Sequence, residues 1–242
     1  MEPIKSRDPY QNSPQSISNA AAGVRVRQPG VSDVLQTNKV LRNTYMLLSM
    51  TLMFSAVCAG AAMALNLPHP GLIITLVGYF GLLFATEKTK NSGLGLVFVF
   101  ALTGFMGYTL GPIINAYMTF LSNGSEIVMM AMGGTGAIFV GLSAYTIASG
   151  KRYSHWGAGL VVGILVAFLA SIAAVVFNMP SLHLAVSAVF VILMSGLIMY
   201  QTAEIVHGGE TNYISATVTL FVSIYNLFLS LLQLLAAFGG DD

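Results

Sequence analysis

The chain has 242 residues, 55% of them hydrophobic and 8% charged, with a formal net charge of +1 and a mean hydropathy of +0.77. Ordinary soluble domains carry about 25% charged residues, so this composition describes a polytopic membrane protein and excludes most soluble enzymes. The near-neutral balance argues against nucleic acid as a partner, and the single cysteine, Cys58, excludes an internal disulfide.

Residues 1–42 are rich in Ser, Asn, Gln, Pro and Gly. Such a segment buries too little apolar surface to offset its ordering entropy, and a disordered tail is expected. Val34 to Leu41 can form a short helix leading to the membrane. The tail carries Lys5, Arg7, Arg25, Arg27, Lys39 and Arg42 against three acids. The first apolar run starts only near Tyr45, so no cleavable signal peptide is visible.

Residues 43–242 hold ten charged side chains, none inside a long apolar run. Charge in hydrocarbon costs several kcal/mol, so charges withdraw to the edges of spans. Seven apolar runs follow, at about 44–66, 71–87, 93–117, 126–149, 156–178, 182–206 and 213–238. About 20 helical residues cross a bilayer core, which each run can supply. Barrel strands would be shorter and would alternate, and these runs do neither. The fold class is therefore all-α, with 43–242 as a seven-helix membrane domain. Turn residues fill the gaps, as in Asn66-Leu67-Pro68, Ser149-Gly150, Asn178-Met179-Pro180 and Gly208-Gly209.

Lys and Arg set the orientation. The tail and the gaps at 87–91 and 151–155 are basic, whereas those at 66–70, 121–126 and 178–183 contain neither residue. This alternation predicts a cytoplasmic N-terminus and, with seven spans, an external C-terminus. The 207–212 gap, cytoplasmic by the same count, has no Lys or Arg. A re-entrant run would move the C-terminus to the other side.

Within the third and fifth runs, Gly107 and Gly111, and Gly159 and Gly163, form two GxxxG spacings, the pattern that lets helix backbones approach. Gly111-Pro112 is expected to end or kink its helix. The seventh run carries Asn212, Ser215, Thr219, Ser223, Asn226, Ser230 and Gln233 at steps of three and four, hence on one face. That face must turn inward, either to bond neighbouring helices or to line a water or ion path. Glu204 and His207 stand one turn apart with Glu210 nearby. Two ligands of this kind can hold a divalent metal, but further ligands are missing, and solvated residues at a helix end are the simpler reading. Met129, Met130 and Met132 read as packing residues rather than copper ligands. With no nucleophile–base pair, phosphate loop or cysteine cluster, neither catalysis nor a cofactor is expected. A proton-coupled pump is also disfavoured, since no charged residue falls at mid-membrane.

The last two runs, Ser195-Gly-Leu-Ile-Met-Tyr-Gln-Thr-Ala-Glu-Ile205 and Leu220-Phe-Val-Ser-Ile-Tyr-Asn-Leu-Phe-Leu-Ser-Leu-Leu232, resemble the Bax inhibitor (TMBIM-type) family, in particular its bacterial YccA-like branch. The third run, Phe100 to Pro112, is similar to a small-residue helix of that family. The resemblance implies seven helices with the last at the centre of the other six. In calcium-leak members two aspartates of the last two helices form a pH-sensing pair; the matching positions here are Gln201 and Ser223, which cannot ionise. A Gln201–Ser223 hydrogen bond is the expected latch in place of that pair, and Thr219, Asn226 and Ser230 of the stripe, with Glu204, are the further pore candidates. YccA-like members are associated with the membrane-bound ATP-dependent protease FtsH as substrates and modulators. Two readings follow: an inner-membrane protein of protease-linked quality control whose polar tail reaches the protease, or a leak channel for calcium or other cations along the seventh helix.

Overall fold

The computed structural model describes residues 38–239, and the polar segment preceding Asn38 lies outside them. Seven helices of membrane-spanning length follow in chain order: α1 Lys39–Ala64, α2 Leu72–Thr89, α3 Gly93–Phe120, α4 Gly124–Ser149, α5 Gly157–Val176, α6 Pro180–Val206 and α7 Tyr213–Gly239. A single 3-10 turn, Ser154–Trp156, precedes α5.

Helix ends follow from local chemistry. The Asn38 side chain caps α1 by accepting from the Leu41 N–H at 3.0 Å, the usual service of an N-cap asparagine. Helix α1 therefore starts before the apolar run does, and Lys39 to Arg42 belong to it rather than to a tail ending at 42. Helices α1, α5 and α6 end alike. Asn66, Asn178 and Gly208 take φ of 48°, 51° and 77°. The N–H of the following residue then reaches back to Ala62, Ala174 and Glu204, at 2.9, 2.9 and 2.8 Å. This is the left-handed closure that Gly and Asn permit and that satisfies orphan carbonyls. Pro68 and Pro180 stand two residues beyond the asparagines, where a helix cannot continue.

Pro112 does not end α3, which runs on to Phe120. The proline lacks one donor, but α3 is clamped to α1 just there. A Cβ on Gly107 would lie 2.3 Å from Ser55 O, and one on Gly111 would lie 2.6 Å from Ala62 Cβ. Packing of this kind holds a proline-bearing helix together in a membrane bundle. The α3 GxxxG thus seats one helix on another. The α5 pair does not: Gly163 meets Leu193 of α6, whereas Gly159 has no atom within 4 Å of a notional Cβ. Spacing alone does not say whether a neighbouring backbone is present.

Helix α7 is the centre of the bundle. No residue from Tyr213 to Ala236 is exposed, and α7 packs on α1, α3, α4 and α6. Leu220, Phe221 and Ala216 of α7 join Leu48 of α1, Leu102 of α3 and Ile147 of α4 in the main core. The arrangement departs from a uniform ring of six. Helix α2 packs chiefly on α3, and α5 on α6. Both are outer helices, and a gap between them reaches α7.

Candidate functional site

The inward face of α7 presents the polar residues singled out in the sequence, but its hydroxyls turn back on their own helix. Thr219 Oγ1 donates to Ser215 O at 3.1 Å, Ser223 Oγ to Thr219 O at 2.7 Å, and Asn226 Nδ2 to Val222 O at 2.8 Å. A Ser or Thr in a helix finds the carbonyl one turn earlier within reach, and in an apolar setting that bond is always available. The anticipated Gln201–Ser223 latch is consequently not made. Ser223 is 0% exposed and bonded within α7. Gln201 is 6% exposed, and its Nε2 has no hydrogen-bond partner. Ser230 is buried nearer the far end of α7.

Bonds between helices come from other positions. Thr217 Oγ1 donates to Thr44 O of α1 at 3.3 Å. The Thr109 and Tyr225 hydroxyls, on α3 and α7, lie 3.1 Å apart. Ser187 of α6 donates to Gln233 Oε1 of α7. Among the described residues of the predicted stripe, Gln233 bonds to another helix within the bundle, as the packing reading of that face expects.

Asn212 was grouped with the stripe by spacing, yet it precedes α7 and caps it. Its Oδ1 accepts from Ile214 N at 2.9 Å and from Ser215 N at 3.1 Å. Its Nδ2 donates to Asn91 Oδ1 at 2.8 Å and to Lys90 O at 3.2 Å, on the α2–α3 turn. Glu210 Oε1 accepts from Asn212 N at 2.8 Å. Beside it Lys90 pairs with Glu87, and that carboxylate raises the lysine pKa. His207 spans another gap, with Nδ1 2.8 Å from Ala203 O and Nε2 3.0 Å from Gly150 O at the end of α4. Asn38 Nδ2 reaches Ile205 O at 2.9 Å. The α6–α7 loop and the end of α6 are therefore tied to α1, to the α2–α3 turn and to the α4 terminus.

Glu204 lies beside this hub. It is half-buried, and Gly209 sits so close that an added Cβ would lie 2.0 Å from Glu204 Oε2. Among the described residues, no three His, Cys, Asp or Glu side chains converge as metal ligands would. An Asn immediately ahead of an apolar run is a readable cap signal, but the convergence of three other segments on this loop leaves no mark in local sequence.

Between α2 and α5 lies a cavity of about 560 Å³, backed by Thr219, Val222, Tyr225 and Asn226 of α7. A second, of about 520 Å³, opens between α1 and α4 and also reaches Tyr225. Two of the predicted residues, Thr219 and Asn226, thus face one cavity, while Gln201, Ser223, Ser230 and Glu204 line neither.

Seven membrane-length helices, the last of them central, with a hydroxyl- and amide-bearing interior and no carboxylate pair in the core among the described residues, define a polytopic membrane protein. The chain belongs to the Bax inhibitor family: residues 37–240 match the family described as "Inhibitor of apoptosis-promoting Bax1". It is 50% identical over 210 residues to the "Modulator of FtsH protease YccA" of Escherichia coli K12, covering 87% of this chain and 95% of that protein. An uncharacterized protein of Pseudomonas aeruginosa is 47% identical over 88% of this chain and 95% of its own length. An uncharacterized membrane protein of Vibrio cholerae is 42% identical over 89% and 97%.

Proposed function

We propose that this protein is a non-enzymatic inner-membrane component of membrane-protein quality control, acting as both modulator and substrate of a membrane-bound ATP-dependent protease of the FtsH class. The observation that carries the reading is the 50% identity, across nearly the full length of both chains, to a protein named as a modulator of that protease. The architecture supports it. A substrate that also modulates must be engaged yet resist extraction, and close α1–α3 seating with loops tied around α7 makes a bundle hard to pull apart. In this reading the polar residues before Asn38 are the handle, and the alternation of basic and neutral loops supports a cytoplasmic N-terminus, on the side where an ATP-driven protease works.

The test compares the full chain with one lacking residues 1–37 in cells containing active protease. The full chain is expected to co-purify with the protease and slow degradation of a second membrane substrate, while the truncated chain turns over more slowly. Equal turnover of both forms sinks the handle, and absence of co-purification sinks the whole reading. A cation leak along α7 is the competing function. The interior gives it little to use, since Thr219, Ser223 and Asn226 bond back to their own helix and the Thr217 and Tyr225 hydroxyls are engaged with α1 and α3. Calcium uptake into liposomes between pH 6 and 8 is expected to match empty controls; robust uptake would put the leak first.

A further inference from the structure

The cavity between α2 and α5 has walls of one character. Leu76 and Phe80 come from α2, Phe105 and Met106 from α3, Leu165 and Phe168 from α5, and Leu197 from α6. Its rim is the outer surface of the bundle: Val161, Leu165 and Phe80 are 65%, 57% and 48% exposed. In a membrane-spanning domain that surface meets hydrocarbon, so the cavity is continuous with the bilayer interior. Its volume falls in the range of about 300–1,000 Å³ typical of ligand cavities.

Apart from the Tyr79 hydroxyl, the polar side chains in the wall ask little of an occupant. Thr75 donates to Gly71 O, Thr219 to Ser215 O and Asn226 to Val222 O, while Thr109 donates to Met106 O and pairs with Tyr225. Water would face apolar side chains almost everywhere and find few partners. A second transmembrane helix is too wide, because Phe80 and Phe168 meet edge-to-face across the mouth with ring centroids 5.6 Å apart. A flexible chain can pass beside such a pair where a helix of about 10 Å diameter cannot.

We infer that the α2–α5 cavity is a side-entry site for one acyl chain of a bilayer phospholipid, which passes the Phe80–Phe168 pair and lies against Val222 and Tyr225 of α7. The chain fills the space between α2, α5 and the central helix. The phospholipid is thereby a structural ligand joining the outer helices to α7.

The test uses the full-length protein reconstituted with a phospholipid that carries a photoreactive diazirine near the end of one acyl chain. After illumination, adducts are mapped by peptide mass spectrometry. Adducts on Leu197 or Val222, half-buried behind the mouth, are the expected result. Adducts confined to outward residues such as Ile73 and Val161 would overturn the site. Labelling by the same diazirine in a free fatty acid, but not in the phospholipid, would overturn the assigned source. A filled variant, Leu197→Phe with Val222→Phe, should lose the inner adducts and keep the outer ones. Unchanged inner labelling in a folded variant would also refute the site, and the wild-type mapping stands even if that variant fails to fold.

Discussion

Gly107 and Gly159 open the same four-residue motif and have opposite surroundings. A side chain at Gly107 must enter space held by the Ser55 backbone, whereas one at Gly159 meets nothing within 4 Å. Gly107→Leu should destabilise the bundle by about 1–3 kcal/mol or more through overpacking, and Gly159→Leu should stay within about 0.5 kcal/mol. Thermal unfolding in nanodiscs reads both, and equal shifts would refute the α1–α3 seating. Gln201 supplies a second test. A buried donor without a partner costs about 1–3 kcal/mol, so Gln201→Met should be neutral or stabilising. Marked loss of stability would mean that the amide holds a bond after all. These outcomes mark where residue-level reading reached its limit. The type and spacing of Ser223 and Gln201 were plain in the sequence. Whether a hydroxyl bonds across helices or back to the turn behind it is decided by the distance to Thr219 O, which no linear pattern contains.

At the scale of elements, most of the fold was legible. Each helix is readable as an apolar run, and its ends as turn chemistry: Asn66, Asn178 and Gly208 adopt the left-handed conformations their residue types allow. Pro112 does not end α3 because the α1 contact keeps the helix going, and local propensity does not contain that contact. The hub at 207–212 was not legible, since its bonds to other segments join residues 57 to 122 positions apart, such as His207 with Gly150 and Asn212 with Lys90. Asn212 serves there as both cap and tie, and two variants separate the roles. Asn212→Ala loses both and should cost about 1 kcal/mol or more. Asn212→Asp keeps the acceptor for the α7 amides but not the donor to the α2–α3 turn. Hydrogen exchange should then rise at residues 90–93 in both variants, and at the first turn of α7 in the alanine variant alone.

For the whole molecule, burial is graded from α7 outward. The apolar stretches of α2 and α5 are 6% and 11% buried, against 44% for both α3 and α7. Amide exchange should follow that order, with α2 and α5 opening first and α3 and α7 last; uniform protection would contradict the central placement. Orientation is open to a separate test. In a Cys58→Ser background, Ser92→Cys and Ser154→Cys should be shielded from an impermeant maleimide added outside spheroplasts, while Asn123→Cys and Ser181→Cys should react. The reverse pattern would invert the positive-inside assignment.

The helix at the centre is also the one that leaves the ribosome after α1 to α6. Until α7 arrives, Leu48, Leu102 and Ile198 have no central partner, and the inward-facing Thr44 carbonyl lacks the Thr217 hydroxyl that will meet it. At about 5–20 residues per second, synthesis of a helix of this length takes a few seconds. During that interval α1, α3, α4 and α6 stand without the helix on which all four pack. Maturation is therefore completed by the arrival of a shared centre, and a chain interrupted at the α6–α7 loop would lack the surface that joins those four helices.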